Sequence, residues 1–246
     1  MSIIITSLLL CTLLISAIPC SALSDSEVDA LYPLTAGMTT GERIAFWAER
    51  FVGTPYDTVP VGIYVARGVI VSDEAVDCMY LTFRSVELAL SGSSAEARRV
   101  ALVMRFRSTQ GKVDGGRVNY DGRFRYGEDM IRSGKWGRDI TAGIGDTFNS
   151  AVPEGDRELP AISPRDLAEK TDQLRSGDIV FFVKHPKWRV RGEIVGHIGI
   201  IRREAGAVYL IHAQGIKRKG GSVRKSPLQE YLRTMPFSGA VLTRFD

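Results

Sequence analysis

The sequence VDCMYLTFRSVELAL, residues 76–90, carries one cysteine, Cys78, at the start of an apolar-periodic segment. The spacing predicts a helix with one buried face, formed by Leu81, Thr82, Ser85, Val86 and Ala89. Asp77, immediately before Cys78, is a residue type suited to an N-cap. A thiol in the first turn lies beside unpaired N–H groups and the positive end of the helix dipole, which favour the thiolate. The stretch therefore predicts a nucleophilic cysteine at a helix start.

Two histidines downstream are candidate partners for Cys78. His197 lies in GHIGII and His212 in YLIHAQG, and both runs are typical of β-strands. The signal EAG at 204–206 predicts a hairpin turn between them. With a loop of two or four residues, positions whose numbers sum to an odd value oppose each other, so both histidines project from one face. A three-residue loop without a bulge would separate them. The pair supplies a base and an orienting group.

The first 22 residues have the pattern of a secretion signal. Residues 3–18 are nearly all apolar and uncharged, and small residues precede a predicted cleavage after Ala22. Because no Lys or Arg precedes the run, an uncleaved membrane anchor is one alternative, and a lipidated Cys20 is another. Cleavage removes Cys11 and Cys20 and leaves Cys78 without a disulfide partner. We expect an exported protein, periplasmic or extracellular, with no stable membrane association after cleavage.

The remaining residues, 23–246, have the size of a single domain, and the 44% hydrophobic content of the chain suffices for a sizeable core. The formal net charge is only +4, and the basic residues are scattered. Aromatic residues do not interleave with them, so nucleic-acid binding is not predicted. A positive rim would still suit an anionic polymer.

The secondary structure predicted for this domain is helical first and extended later. Thr39 and Glu42 form a capping-box pattern ahead of one helix, residues 59–71 are expected to be irregular or extended, and a further helix is predicted over about 94–106. Residues 111–156 are rich in Gly, Asp and Arg and too long for an ordinary connection. They are expected to form a long loop insertion near the site.

The C-terminal third predicts a small antiparallel sheet. The strand IVFFV (179–183) precedes the histidine hairpin, a short helix begins after Ser226-Pro227, and GAVLTRF (239–245) is the last strand. The predicted fold class is α+β, in which N-terminal helices, with the nucleophile at a helix start, pack on this sheet.

Several motifs, in this order and spacing, resemble the NlpC-type cysteine peptidases, papain-like hydrolases that cleave peptidoglycan stem peptides. They are GTPY (53–56), DC (77–78), SGDIVFF (176–182), GHIGII (196–201) and IHA (211–213). The segment VNYDGRFRYGEDMIRSGKWGRDIT (118–141) is similar to the Arg and Tyr signature of the N-acetylmuramoyl-L-alanine amidase-like branch. SPLQEYL and GAVLTRF resemble the C-terminal end of that branch. The resemblance covers most of residues 41–245.

The resemblance implies a papain-like fold with Cys78 as nucleophile, His197 as base and His212 as third polar residue. It places Tyr56 along the site, where its hydroxyl is a second oxyanion donor beside the Cys78 N–H. In some relatives the aspartate that matches Asp77 binds the free amine of a stem peptide. Such a role would give a preference for peptides already released from glycan.

Arg123 and Tyr126, within the long insertion, are expected to contact a stem-peptide carboxylate or a neighbouring backbone. Arginine suits this role because its planar fork binds a carboxylate through two hydrogen bonds. The alternative is a structural arginine paired with Asp121, Glu128 or Asp129.

The chain departs from the pattern of its relatives in two places. Relatives tend to carry DCxTFVE where this chain has DCMYLTF, and HAS where it has His212-Ala213-Gln214. These changes surround the dyad without removing it, so they alter substrate preference more than reaction class. The sequence is compatible with two scissile bonds. One is the amide bond that a true amidase cuts, and the other joins D-Glu to diaminopimelate.

The sequence thus predicts an exported cysteine amidase or endopeptidase acting on peptidoglycan stem peptides or muropeptides, without a cofactor or metal. A zinc site built from Cys78, His197 and His212 has suitable ligand types but lacks paired short ligand spacing. Two other functions fit the same fold. One is a cysteine-dependent acyltransferase, and the other is a non-catalytic wall-binding module.

Overall fold

The computed structural model describes residues 22–107, 111–150, 159–189 and 193–246. The predicted secretion signal, with Cys11 and Cys20, lies outside these ranges up to residue 21. Within them, no helix has the length and apolar character that crossing a membrane requires.

The N-terminal part of the described chain is helical. Its helices are α1 (Asp25–Leu31), α2 (Thr40–Arg50), α3 (Ile63–Arg67), α4 (Cys78–Ala89) and α5 (Ser94–Met104). The predicted capping box is confirmed, because the Thr39 hydroxyl accepts from the Glu42 N–H while the Glu42 carboxylate accepts from Thr39.

Helix α3 contradicts the expectation that residues 59–71 are irregular. The Asp57 carboxylate accepts from the N–H groups of Val59 and Ile63, at 2.8 and 2.7 Å. Gly68 then ends the helix in the left-handed region, at φ 67°. One buried acid and one glycine therefore define a helix that has no periodic signal in the sequence.

The segment predicted as a loop insertion contains short regular elements over the residues described, 111–150. A hairpin of β1 (Lys112–Asp114) and β2 (Arg117–Asn119) comes first. It is followed by α6 (Gly127–Ser133), β3 (Arg138–Asp139), α7 (Thr141–Ile144) and β4 (Thr147–Asn149). Residues 151–156 lie outside the described ranges.

The second half of the chain completes a mixed α+β fold. Its elements are β5 (Pro160–Ile162), α8 (Pro164–Glu169), β6 (Ile179–Lys184), β7 (Val195–Glu204), β8 (Ala207–Ile216), β9 (Gly220–Pro227), α9 (Leu228–Thr234) and β10 (Phe237–Arg244). The sheet has the order β4-β5-β10-β6-β7-β8-β9, with β3 also paired to β10, and all of these pairs are antiparallel. The predicted sheet is confirmed and is larger than expected.

Helices cover both faces of this sheet. Along β6, Phe181 and Val183 face the larger core, which includes α2, α4 and α5, whereas Phe182 faces a smaller core that includes α8 and α9. This division follows from the two-residue period of a strand. The site described below lies where β7 and β8 meet α4 and α9.

Helix α4 is buried all round, although the sequence predicted a single buried face. Every residue from Tyr80 to Ala89 is buried. The helix packs against α2 and α5 on the helical side and against β7 and β8 on the sheet side. Its start is therefore fixed relative to the two strands that carry the histidines.

Candidate active site

Cys78 is the first residue of α4, as predicted. Asp77 caps the helix, and its Oδ1 accepts from the Tyr80 N–H at 2.8 Å. Burial raises the pKa of the Cys78 thiol to about 12, and the Asp77 carboxylate raises it too, although the Ile198 N–H, Lys217 and the Cys78 N–H act in the opposite direction. The thiol is therefore neutral at neutral pH, where the sequence predicted a thiolate.

The hairpin of β7 and β8 brings the two histidines together. Its loop is the two-residue turn Ala205-Gly206, with φ of 49° and 84°, and Ile200 opposes Ile211. This register makes His197 and His212 diagonal neighbours on one face. His197 Nε2 and His212 Nδ1 are 2.9 Å apart. The predicted juxtaposition of the histidines is confirmed.

The hydrogen bonds of this pair extend to Ser226, a residue that no sequence motif indicated. His212 Nε2 lies 3.4 Å from Ser226 Oγ, at the end of β9. Two assignments satisfy both contacts, and the one that makes His197 a proton acceptor has His197 Nε2–H donating to His212 Nδ1 and His212 Nε2–H donating to Ser226. This assignment leaves Nδ1 of His197 with a free lone pair.

Both histidines are neutral at neutral pH. Burial lowers the pKa of His197 to about 3, with a further contribution from His212, and burial with the Arg224 charge lowers the pKa of His212 to about 4. Aromatic rings surround His197, because Phe237 stacks on it at 6.2 Å and Phe182 at 6.0 Å. The imidazole is consequently held in place in its neutral form.

Cys78 is connected to the strand of His197 through the backbone. The Ile198 N–H, adjacent to His197 in β7, is close enough to the Cys78 thiol to lower its pKa. Among the described residues the thiol forms no hydrogen bond with the His197 imidazole. The structure thus places the thiol beside the strand that carries His197. Catalytic hydrogen bonds commonly shorten only when substrate binds.

Tyr56 lies close to the thiol, as the resemblance implied. Burial raises the pKa of Tyr56, and so do the charges of Cys78 and Asp77. Its ring packs so closely on Gly215 that a Cβ there would lie 2.2 Å from Tyr56 Cγ. A glycine is therefore required at position 215 for Tyr56 to reach the site.

Lys217 is a second site residue for which the sequence held no signal. Its Nζ lies 2.9 Å from Asp77 Oδ2 and 3.0 Å from the Asp57 carbonyl oxygen. The ammonium is also 5.5 Å from the Tyr56 ring centre. Asp77 therefore carries a charge that the protein itself compensates.

Arg123 and Tyr126, the two predicted substrate contacts in the insertion, have different surroundings. Arg123 Nη1 donates to the Tyr120 carbonyl at 3.2 Å, within its own turn. Tyr126 precedes α6 and is exposed. Of the acids proposed as alternative partners, Asp129 pairs with Arg107, and Glu128 accepts from β-strand backbone. The role of Arg123 and Tyr126 in substrate binding stays a prediction.

Glu128 fixes the insertion to the strand of the histidine. Its buried carboxylate accepts from the N–H groups of Ile194 and Val195, at 3.0 and 3.1 Å. Val195 begins β7, two residues before His197. Local patterns in the sequence do not reveal this contact, because it joins residues 66 and 67 positions apart.

An open cleft of about 320 Å³ lies against the histidine pair. Its lining includes His197, His212, Gln214, Tyr231 and Phe237. A larger cleft, of about 560 Å³, is lined by Arg138 and Arg244. That cleft lies at the other end of β10, so the smaller cleft is the one that adjoins both histidines. Across the described ranges, no group of three His, Cys, Asp or Glu side chains is arranged to hold a metal ion.

No protein-family model and no curated protein matches the chain. Solved structures do share its architecture. An N-acetylmuramoyl-L-alanine amidase from Bacteroides uniformis matches with a TM-score of 0.64 at 21% identity, covering 83% of this chain and 98% of that one. A Legionella pneumophila protein of the DUF1460 family matches with a TM-score of 0.70 at 16% identity, covering 89% and 93%.

A third structure, of a candidate xylanase from Bacteroides fragilis, matches with a TM-score of 0.63 at 18% identity, covering 82% of this chain and 100% of that one. These proteins carry different functional names, and fold alone does not specify function. The chain therefore has the mixed α+β fold, built on an antiparallel sheet, that is found in N-acetylmuramoyl-L-alanine amidase and DUF1460 structures.

Proposed function

We propose that this chain is an exported cysteine hydrolase of the papain-like NlpC type, which cleaves an amide bond in peptidoglycan stem peptides or muropeptides. The observation that carries the proposal is the hydrogen-bonded series His197, His212 and Ser226. His197 and His212 lie on β7 and β8, the two strands that pack against α4, and Cys78 is the first residue of that helix. The shared fold with a protein named N-acetylmuramoyl-L-alanine amidase supports the substrate class.

The neutral states of the thiol and the imidazole define the first step. As substrate enters, the Cys78 sulfur attacks the amide carbonyl carbon while its proton passes to Nδ1 of His197, so a C–S bond forms. The new imidazolium donates from Nε2 to His212 Nδ1, and His212 in turn donates to Ser226. The proton on Nδ1 then transfers to the amide nitrogen, the C–N bond breaks and the amine leaves.

Water completes the reaction. His197 takes a proton from a water molecule and the resulting hydroxide attacks the thioester carbon. The C–S bond then breaks and His197 returns the proton to the departing sulfur, which releases the acid and restores the thiol. In both halves the carbonyl oxygen gains negative charge, which the Cys78 N–H and the Tyr56 hydroxyl would stabilise. The raised pKa of Tyr56 keeps its hydroxyl protonated and able to donate.

The test uses protein produced from the full chain, with the Cys78→Ala variant as matched control. Both are incubated with purified sacculi and with defined muropeptides, and the products are identified by mass. We expect hydrolysis by the wild type and a loss on the order of 10³ or more in the variant, as for other nucleophile deletions. N-terminal sequencing of the exported protein checks the cleavage after Ala22.

Three outcomes contradict the proposal, each in its own way. Equal activity in Cys78→Ala excludes the cysteine mechanism. Products that carry the acyl group on an amine, instead of a free acid, indicate an acyltransferase. Stable binding to sacculi without any product indicates a wall-binding module.

A further inference from the structure

The ammonium group of Lys217 occupies a pocket beside the nucleophile. The pocket consists of a carboxylate oxygen from Asp77 at 2.9 Å, the Asp57 carbonyl oxygen at 3.0 Å, an Asp57 carboxylate oxygen at 3.9 Å and the face of Tyr56 at 5.5 Å. A carboxylate, a carbonyl and an aromatic face are the groups that bind an ammonium ion best. The pocket would suit the amino group of a ligand, but a side chain of the protein already fills it.

The groups of this pocket are fixed by other contacts. Asp77 is held by its cap to the Tyr80 N–H, and the Asp57 carboxylate by the N–H groups of Val59 and Ile63. The chain after β8 is anchored as well, because the Arg218 N–H donates to the Thr58 carbonyl at 3.2 Å. The Lys217 side chain is 30% exposed, against 17% for Asp77. Lysine therefore stands between the carboxylate and solvent.

We infer that Lys217 is a specificity-determining residue, whose ammonium blocks this pocket and excludes substrates that carry a free amino group there. The inference rests on the proposed function. A substrate ammonium would have to displace Lys217 and would then lie beside a like charge, which is a repulsive element against that ligand. An acylated nitrogen carries no charge, so it does not compete with the Lys217 ammonium for the pocket and is not repelled by it. The occupied pocket opposes the expectation that Asp77 binds the free amine of a released peptide.

The experiment measures binding to the Cys78→Ala protein by calorimetry, so that cleavage does not interfere. The two probes are the peptide L-Ala-D-isoglutamyl-diaminopimelate with a free amine and the same peptide N-acetylated. We expect the acetylated probe to bind more tightly. In a Lys217→Met background the free-amine probe should gain affinity relative to the acetylated one by about tenfold or more, because the Asp77 carboxylate is released.

Two controls identify the cause of that gain. Lys219→Met removes a nearby lysine outside the pocket and should leave the ratio of affinities unchanged. Adding Asp77→Asn to Lys217→Met should remove most of the gain, because the amide still caps α4 but no longer attracts a cation, and the remaining Asp57 carboxylate is farther from the ammonium position, at 3.9 Å. A melting curve for each variant verifies that it is folded.

An unchanged ratio in folded Lys217→Met overturns the inference, and so does the absence of binding by either probe while the wild type hydrolyses muropeptides. A preference for the free-amine probe with Lys217 in place also overturns it, even if the Lys217 variant does not fold. Lack of hydrolysis of any muropeptide by the wild type overturns the proposed function, and this inference with it.

Discussion

Two buried polar regions of the molecule solve the problem of burial differently. In the first, the ion-pair region, Arg105 forms two hydrogen bonds with Glu87 of α4, at 2.6 and 2.7 Å, and both side chains are fully buried. In the second, the histidine region, His197 and His212 share one hydrogen bond and remain neutral. Arg105 and Glu87 keep their charges because they pair with each other, whereas both histidine rings are uncharged.

The difference follows from the partners available. Burial disfavours any charge, and an ion pair with good geometry offsets that cost. Within the described ranges the histidines face aromatic rings and a hydroxyl, with no carboxylate among their hydrogen-bond partners. The ion-pair region is therefore suited to fixing the helix, whereas the histidine region keeps neutral rings that hold a proton only transiently.

The largest expected effect on activity comes from substitutions in the histidine region. His197→Ala removes the proton acceptor and should lower kcat/KM on a muropeptide by about 10²- to 10⁴-fold. His212→Ala removes only the orienting group and should cost about tenfold. Steady-state kinetics with melting temperatures as control measures both. Equal losses in the two variants, at unchanged stability, would show that the roles are not separable.

A substitution in the ion-pair region should lower stability and leave catalytic activity unchanged. Arg105→Met leaves Glu87 buried without its partner and should lower the free energy of unfolding by about 3–5 kcal/mol. Arg98→Met, which breaks an exposed pair with Asp25, is the matched control and should cost less than about 1 kcal/mol. Denaturant unfolding gives both values. A similar small loss in the two variants would mean that the buried pair does not hold the fold.

The buried His197 should also make the free energy of unfolding depend on pH. The pKa of His197 in the folded protein, about 3, lies below its ordinary value of 6.5, so the unfolded chain binds more protons between those limits. Stability contributed by the neutral histidine is complete above pH 6.5 and is lost as pH falls towards 3. The loss is about 1.4 kcal/mol per pH unit within that window. Unfolding of wild type and His197→Phe at pH 7 and pH 4 measures it, and identical pH dependence in both would contradict the assignment.

The last prediction concerns the insertion. Arg123→Lys keeps the charge but loses the planar fork, so kcat/KM should fall by about tenfold to a hundredfold with little change in melting temperature. Arg125→Lys, an exposed neighbour in the same segment, is the control. A large drop in melting temperature with unchanged kinetics would assign Arg123 to the scaffold.

Local rules were sufficient for the parts of the site that depend on neighbouring residues. The N-cap at Asp77 and the start of α4 follow from side-chain chemistry one to three residues apart. The juxtaposition of His197 and His212 follows from the parity of a two-residue turn. These features could be predicted because each is determined within a single element or hairpin.

The remaining features depend on contacts between distant parts of the chain. Strand β9, with the sequence GGSVRKSP, has no alternating apolar pattern and forms because it pairs with β8 along its whole length. Lys217 reaches Asp77 across 140 positions. The raised pKa of the Cys78 thiol results from burial that α4 acquires only in the assembled fold. A thiolate was predicted because the sequence gives the helix start its cap and dipole but not its burial, which favours the opposite protonation state.

The contact of Glu128 with Ile194 and Val195 links the motion of the insertion to that of the histidine strand. Those two amide hydrogens are shielded from solvent exchange as long as the carboxylate stays docked. Each excursion that exposes them also removes one anchor of the backbone two residues before His197. The deuterium uptake of residues 194 and 195 thus reports how often the backbone beside His197 loses this anchor. A partner that binds the insertion would lower that uptake.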